Sequence, residues 1–197
     1  MASLKDQLKG APWHCEPPKW QLLDEGLTLT TGDKTDFWQD TYYGFRRDDG
    51  HFLGRAVSGD FTASLTFDAA YEVLYDQAGL MMRQDANTWL KTGIEYSDEV
   101  TNFSVVVTRD GRSDWSEIAV PRVTGMQKVR LTRQGRAVIV HHERGDGTWR
   151  LMRLADFPES ADVRVGPMAW SPERAGLAAR FGSLEIGPAI DNPLHAS

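Results

Sequence analysis

The stretch Leu74-Tyr75-Asp76-Gln77-Ala78-Gly79-Leu80-Met81-Met82-Arg83-Gln84-Asp85-Ala86-Asn87-Thr88-Trp89-Leu90-Lys91-Thr92-Gly93-Ile94-Glu95-Tyr96 reads as a β-hairpin with two chemically different faces. On the first arm Leu80 and Met82 alternate with Met81 and Arg83. On the second, Leu90, Ile94 and Tyr96 alternate with Trp89, Lys91 and Glu95. An odd loop such as Ala86-Asn87-Thr88 puts the odd-numbered residues of both arms on one side, so Arg83, Lys91 and Glu95 gather beside Trp89. A charged, aromatic sheet face of this kind has the character of a ligand surface.

Outward from the hairpin, further β-branched and aromatic segments recur: Leu27-Thr28-Leu29-Thr30-Thr31, Phe61-Thr62-Ala63-Ser64-Leu65-Thr66-Phe67 and Phe103-Ser104-Val105-Val106-Val107-Thr108. Lys128-Val129-Arg130-Leu131-Thr132-Arg133 and Ala137-Val138-Ile139-Val140-His141-His142 form a second hairpin around Gln134-Gly135. Gly145-Asp146-Gly147 then turns into Trp149-Arg150-Leu151-Met152-Arg153-Leu154. Residues 5–9 are the best helical segment, and no long stretch has a 3.6-residue apolar period. Without crossover helices, antiparallel meanders favour an all-β, two-sheet antiparallel β-sandwich of the jelly-roll type.

At 197 residues, with 41% hydrophobic and 25% charged content, the chain suits one globular domain. We expect an N-terminal extension over 1–12, the sandwich over 13–188 and a loose tail over 189–197. The net charge of −6 opposes nonspecific binding to phosphate backbones, so nucleic acid is not an expected partner. The charged N-terminus does not suit a signal peptide, and no apolar run reaches membrane-spanning length. With Cys15 as the single cysteine, read as a small packing residue, a cytoplasmic protein without membrane association is expected.

Several motifs occur in order: Trp13-His14-Cys15-Glu16-Pro17, Thr35-Asp36-Phe37-Trp38, Tyr43-Gly44-Phe45 with Asp49-Gly50-His51-Phe52, and Gly59-Asp60-Phe61. The opening hairpin, Val105-Val106-Val107-Thr108-Arg109 with Ser113-Asp114-Trp115-Ser116, and Val165-Gly166-Pro167-Met168 complete the set. From about Trp13 to Phe181 the chain resembles the largely uncharacterised domain family that includes the regulation-of-enolase protein. The resemblance implies a concanavalin A-like lectin/glucanase jelly roll and no specific reaction. That family often has asparagine where this chain has Cys15. The hairpin also resembles concanavalin A-like modules appended to some glycosidases, an analogy of fold that assigns no ligand.

The expected function is non-catalytic recognition of a carbohydrate or small polar ligand on the concave sheet. Trp38, Trp89 and Trp115 would form the walls, because indole stacks on the C–H faces of a sugar ring. Asp76, Gln77, Arg83, Lys91 and Glu95 would supply hydrogen bonds, with His51 and Asp114 at its loops and edge. The same charges also suit a cross-strand ion network, and Asp76 equally suits a turn cap. Trp13, Trp20 and Trp149 are assigned to packing. Two alternatives remain. One is a glycan-active hydrolase or lyase using Glu95 with a second acid, Asp76 or Asp114, arriving from elsewhere; the other is an intracellular module that binds a protein partner. No cofactor is expected. No metal site is expected either: His141 and His142, as adjacent strand residues, point to opposite faces, and Asp48-Asp49-Gly50 lacks calcium-loop spacing.

Overall fold

The computed structural model describes residues 3–121, 124–159 and 162–195. A short helix, α1 (Leu4–Leu8), precedes β1 (Trp13–His14), β2 (Lys19–Leu23), β3 (Gly26–Thr30), β4 (Phe37–Gln39), β5 (Arg46–Asp48), β6 (His51–Leu53) and β7 (Arg55–Ser58). The longer strands follow: β8 (Phe61–Ala69), β9 (Gln77–Asp85), β10 (Thr88–Ser97), β11 (Val100–Arg109), β12 (Arg112–Val120), β13 (Gln127–Gln134), β14 (Ala137–Glu143), β15 (Trp149–Asp156), β16 (Asp162–Trp170) and β17 (Ala178–Gly187). They form a jelly-roll sandwich of two antiparallel sheets. The first runs β1-β6-β16-β9-β10-β11-β12, with β7 also on β16, and the second runs β15-β14-β13-β8-β17-β3-β2. β4 and β5 make a separate two-stranded ribbon. Among the described residues no helix is long and apolar enough to cross a membrane.

Between the sheets lies the main core, which receives Leu80, Met82, Leu90, Ile94, Phe103 and Val105 from the first sheet and Phe61, Leu65, Val129, Leu131 and Val140 from the second. Residue parity in the central hairpin is set by a bulge. The turn holds only Ala86 and Asn87, and Asp85 pairs with Thr88, yet Arg83 pairs with Trp89, leaving Gln84 as the extra residue. This shift keeps odd with odd and sends Leu80, Met82, Leu90 and Ile94 inward.

Pro167 hides β16 from sequence reading, because proline donates nothing to a ladder. It sits where the neighbour on one side changes from β7, which pairs with Asp162 to Val165, to β6, which pairs with Met168 and Ala169. A missing donor costs least at such a junction.

Several sequence expectations are revised. Of the expected 1–12 extension, residues 1 and 2 lie outside the described residues and 3–8 join the core: Ser3 and Asp6 form a reciprocal capping box, and Leu4 and Leu8 are buried in the main cluster. Within the expected tail, Pro193–His195 form a 3-10 turn and Pro193 is buried. Cys15 is exposed rather than packed and has φ +54°, a left-handed conformation that asparagine tolerates well. Trp20 is 41% exposed, with its Nε1 donating to Glu16 at 2.7 Å.

His142 faces inward and stacks on Phe103 at 4.3 Å between centroids, while His141 faces outward. Burial, then Arg130 and His142, pushes the His141 imidazole down from 6.5 to about 4. Between those values the unfolded chain binds more protons, so this contribution to stability is present above pH 6.5 and is lost as the pH falls toward 4. His141→Leu is expected to raise the melting temperature near pH 5 relative to the parent and to change it little near pH 8. Parallel melting curves across that range would show that His141 does not govern acid sensitivity.

Candidate functional site

The odd-numbered residues of the central hairpin form the outer face of the first sheet, with Lys91 and Glu95 flanking Gly93 on β10. The register continues this face through Val106 on β11 to Trp115 on β12, and in the other direction through Gln77 to Trp170 on β16. Over it lies the β4–β5 ribbon. Phe37 and Trp38 join Met81, Trp89, Met168 and Trp170 in a second apolar cluster, separate from the main core. Polar ties fix the ribbon in place: Lys91 Nζ donates to Phe37 O at 2.9 Å, the Gln39 amide donates to Ser113 Oγ at 3.0 Å, and Arg83 makes a bidentate pair with Asp48 at 2.7 and 2.8 Å.

Local backbone chemistry explains the ribbon's sharp tip. Asp40, Tyr42 and Gly44 all have positive φ, and Arg46 clamps Asp40 through two hydrogen bonds of 3.1 and 2.6 Å. The tip sets Tyr43 edge-on to Trp38 at 5.5 Å and stacks it with Phe45 at 5.4 Å. Tyr43 Oη reaches Tyr75 Oη at 3.1 Å, closing a ring of aromatic groups.

Beneath that ring is a cavity of about 240 Å³. Trp38, Tyr43, Phe45, Tyr75, Trp115 and Trp170 supply its apolar wall, and Asp36, Lys91, Glu95 and Glu173 its charged groups. Burial pushes the Glu95 carboxyl above its ordinary range, opposed by Lys91 and the Ser104 hydroxyl and reinforced by Asp36. Burial likewise raises Asp36, against the pull of Lys91 and the Phe37 amide. Lys91 moves down for the same reason, with Asp36 and Glu95 opposing. The hydrogen bond to Tyr43, then burial, raises the Tyr75 phenol. Glu95 Oε2 and Trp115 Nε1 are buried without a hydrogen-bond partner among the described residues. Both residues also line the cavity, so each brings a polar atom without a partner to its wall.

Of the residues singled out from sequence, Trp38, Lys91, Glu95 and Trp115 line this cavity. Gln77 lies beside Glu95 in the register, with Nε2 donating to Ser104 at 3.4 Å. The others are placed elsewhere. Trp89 is fully buried under Phe37 and packs instead of forming a platform, and Arg83 is held by Asp48. His51 lies on the opposite face of β6, where both ring nitrogens bind backbone, Cys15 O at 2.6 Å and the Gly32 amide at 2.9 Å. Asp114 points to the other side of β12 from Trp115 and pairs with Arg153 of the second sheet at 2.9 Å. Asp76 is a fully buried latch, accepting from Ser171 at 2.6 Å, Arg174 at 2.5 Å and the amides of Glu72 and Val73 at 3.0 Å. Among the described residues no group of three or more His, Cys, Asp or Glu side chains could hold a metal ion.

Sequence reasoning missed Asp36, Tyr43, Tyr75 and Trp170 as site residues. Asp36 and Tyr43 belonged to motifs already noted, and Tyr75 adjoins Asp76. Trp170 carried no local signal, because only the antiparallel pairing of β16 with β9 brings it opposite Gln77.

This arrangement has relatives. The chain is 41% identical over 194 residues to Regulation of enolase protein 1 of Saccharomyces cerevisiae, covering 98% of this chain and 97% of that one. A crystal structure of a functionally unknown protein from Saccharomyces cerevisiae superposes with a TM-score of 0.89 at 40% identity, covering 93% of this chain and 99% of that one. A legume lectin-like domain from Entamoeba histolytica shares the fold at a TM-score of 0.64 and 10% identity, over 93% and 92% of the two chains. The family model described as Protein of unknown function (DUF1349) matches residues 13–189, and the chain belongs to that family.

Proposed function

We propose that the protein binds a small, neutral, polyhydroxylated ligand, with one sugar ring as the best-fitting occupant, between the β4–β5 ribbon and the first sheet, without turning it over. One observation carries this reading: an aromatic cavity is lined by Glu95 and Trp115, whose buried Oε2 and Nε1 have no hydrogen-bond partner among the described residues. Leaving a buried polar group unpaired costs about 1–3 kcal/mol, and a hydroxyl that donates to one and accepts from the other removes both penalties. A volume of about 240 Å³ is below the roughly 300–1,000 Å³ of drug-sized pockets, which limits the occupant to about one ring. With three carboxyl side chains and one lysine on the wall, an anionic ligand is disfavoured.

Titration of the folded protein with a panel of methyl glycosides and short oligosaccharides, followed by NMR shifts of the tryptophan indoles, tests this. Glu95→Gln and Trp115→Phe are each expected to weaken binding by about 10-fold or more while the fold persists. Absence of saturable binding anywhere in the panel, or equal affinity in both variants, would overturn the assignment.

A second reading, a glycan-active enzyme, draws support from Asp36. This second acid shares the cavity with Glu95, as glycoside hydrolysis requires. Against it, Asp36 Oδ1 already accepts from the Phe37 amide at 2.7 Å. Glu95-dependent release of sugar from the panel would favour this reading over simple binding.

A further inference from the structure

The binding reading assigns Lys91, a lining residue of the cavity, no contact with the ligand. Of the six lysines in the sequence it alone lies inside this site, 3% exposed, with Nζ 4.1 Å from the Trp170 ring centroid and 5.7 Å from that of Trp89. Among the described residues Nζ donates a single hydrogen bond, to Phe37 O, so an ammonium here has three N–H groups and one oxygen acceptor. Burial shifts the balance toward the neutral amine, against the pull of Asp36, Glu95 and the two indole faces. The Glu95 carboxyl, whose Oε2 has no partner among the described residues, lines the same cavity.

We propose that Lys91 captures the carbonyl form of a small reducing sugar as a reversible imine inside this cavity. The inference rests on the binding reading and adds to it a covalent mode. The Nζ lone pair forms a C–N bond to the carbonyl carbon while the C=O pair moves to oxygen and takes the Glu95 proton. Nitrogen then returns a proton to Glu95. A second protonation of the carbinolamine oxygen by Glu95 expels water and leaves a protonated C=N bond, whose N–H proton returns to the Glu95 carboxylate, so amine plus carbonyl gives imine plus water with no oxidant or reductant. Burial supports both roles, since it favours the neutral amine of Lys91 and the protonated acid of Glu95.

Incubating the protein with D-glyceraldehyde and cyanoborohydride, then mapping adducts by peptide mass spectrometry, tests the imine. Preferential labelling of Lys91 over the other five lysines is expected at the lowest probe concentrations. Labelling should be slowed at least 10-fold in Glu95→Gln and blocked by a methyl glycoside that binds. The wild-type map alone decides the point. Labelling confined to the other lysines, while methyl glycosides still bind the cavity, would overturn the imine and leave the binding reading standing; loss of both would overturn the two together.

Discussion

Asp76→Ala is expected to cost about 3–5 kcal/mol of folding stability, as removal of one partner from a buried ion pair does. Its carboxylate is fully buried and joins two distant segments: the amides of Glu72 and Val73 on one side, and Ser171 with Arg174 on the other. Burial alone would raise this carboxyl, but Arg174, Ser171 and the two amides outweigh it and hold the pKa below 3.8. The native state therefore binds fewer protons than the unfolded chain, and the contribution is present above pH 3.8 and lost as the pH falls through the depressed native value. Urea unfolding at neutral pH should show the full loss. Ligand binding should fail as well, because the same latch positions Tyr75 beside it and the turn carrying Pro172 and Glu173, all of which line the cavity. A variant within about 1 kcal/mol of the parent would show that water can take the place of the carboxylate.

Gly93→Ala is expected to cost about 4 kcal/mol or more, at the extreme of single-substitution effects. A Cβ at this position would lie 2.0 Å from Ala78 O and 2.7 Å from Gly79 Cα, and one at Gly79 would lie 2.1 Å from Thr92 O. Every obstacle is backbone of the facing strand, so no side chain can rotate away. β9 and β10 would have to part at the centre of the first sheet, between Lys91 and Glu95. Loss of soluble expression or a broad unfolding transition would match this expectation; a cooperative transition near the parental midpoint would refute it.

Much of this architecture was legible in residue order. Period-two alternation in the 74–96 stretch placed Lys91 and Glu95 on one face and the leucines on the other, since a strand has only two sides. Parity survived for a reason that the letters did not display: the Gln84 bulge replaces an odd loop. The site was legible only in part. Trp38 and Trp115 were selected as walls, but so was Trp89, and nothing in an isolated tryptophan distinguishes a lining ring from one buried beneath Phe37. Asp76 and Asp114 were selected as site acids and Asp36 was not. Partners remote in sequence separate them: Arg174 for Asp76, Arg153 for Asp114, and the cavity itself for Asp36.

Sequence by itself determined the all-β class, the antiparallel hairpins and the polar outer face of the central one, because side-chain alternation and turn chemistry act over a few neighbouring residues. Only the tertiary structure decided that a ribbon from residues 37–48 covers that face and that Trp170 closes one wall. It also decided which charges stay open and which are neutralised. Those outcomes depend on contacts between segments tens of residues apart, where burial and a single distant arginine set the state of each carboxyl.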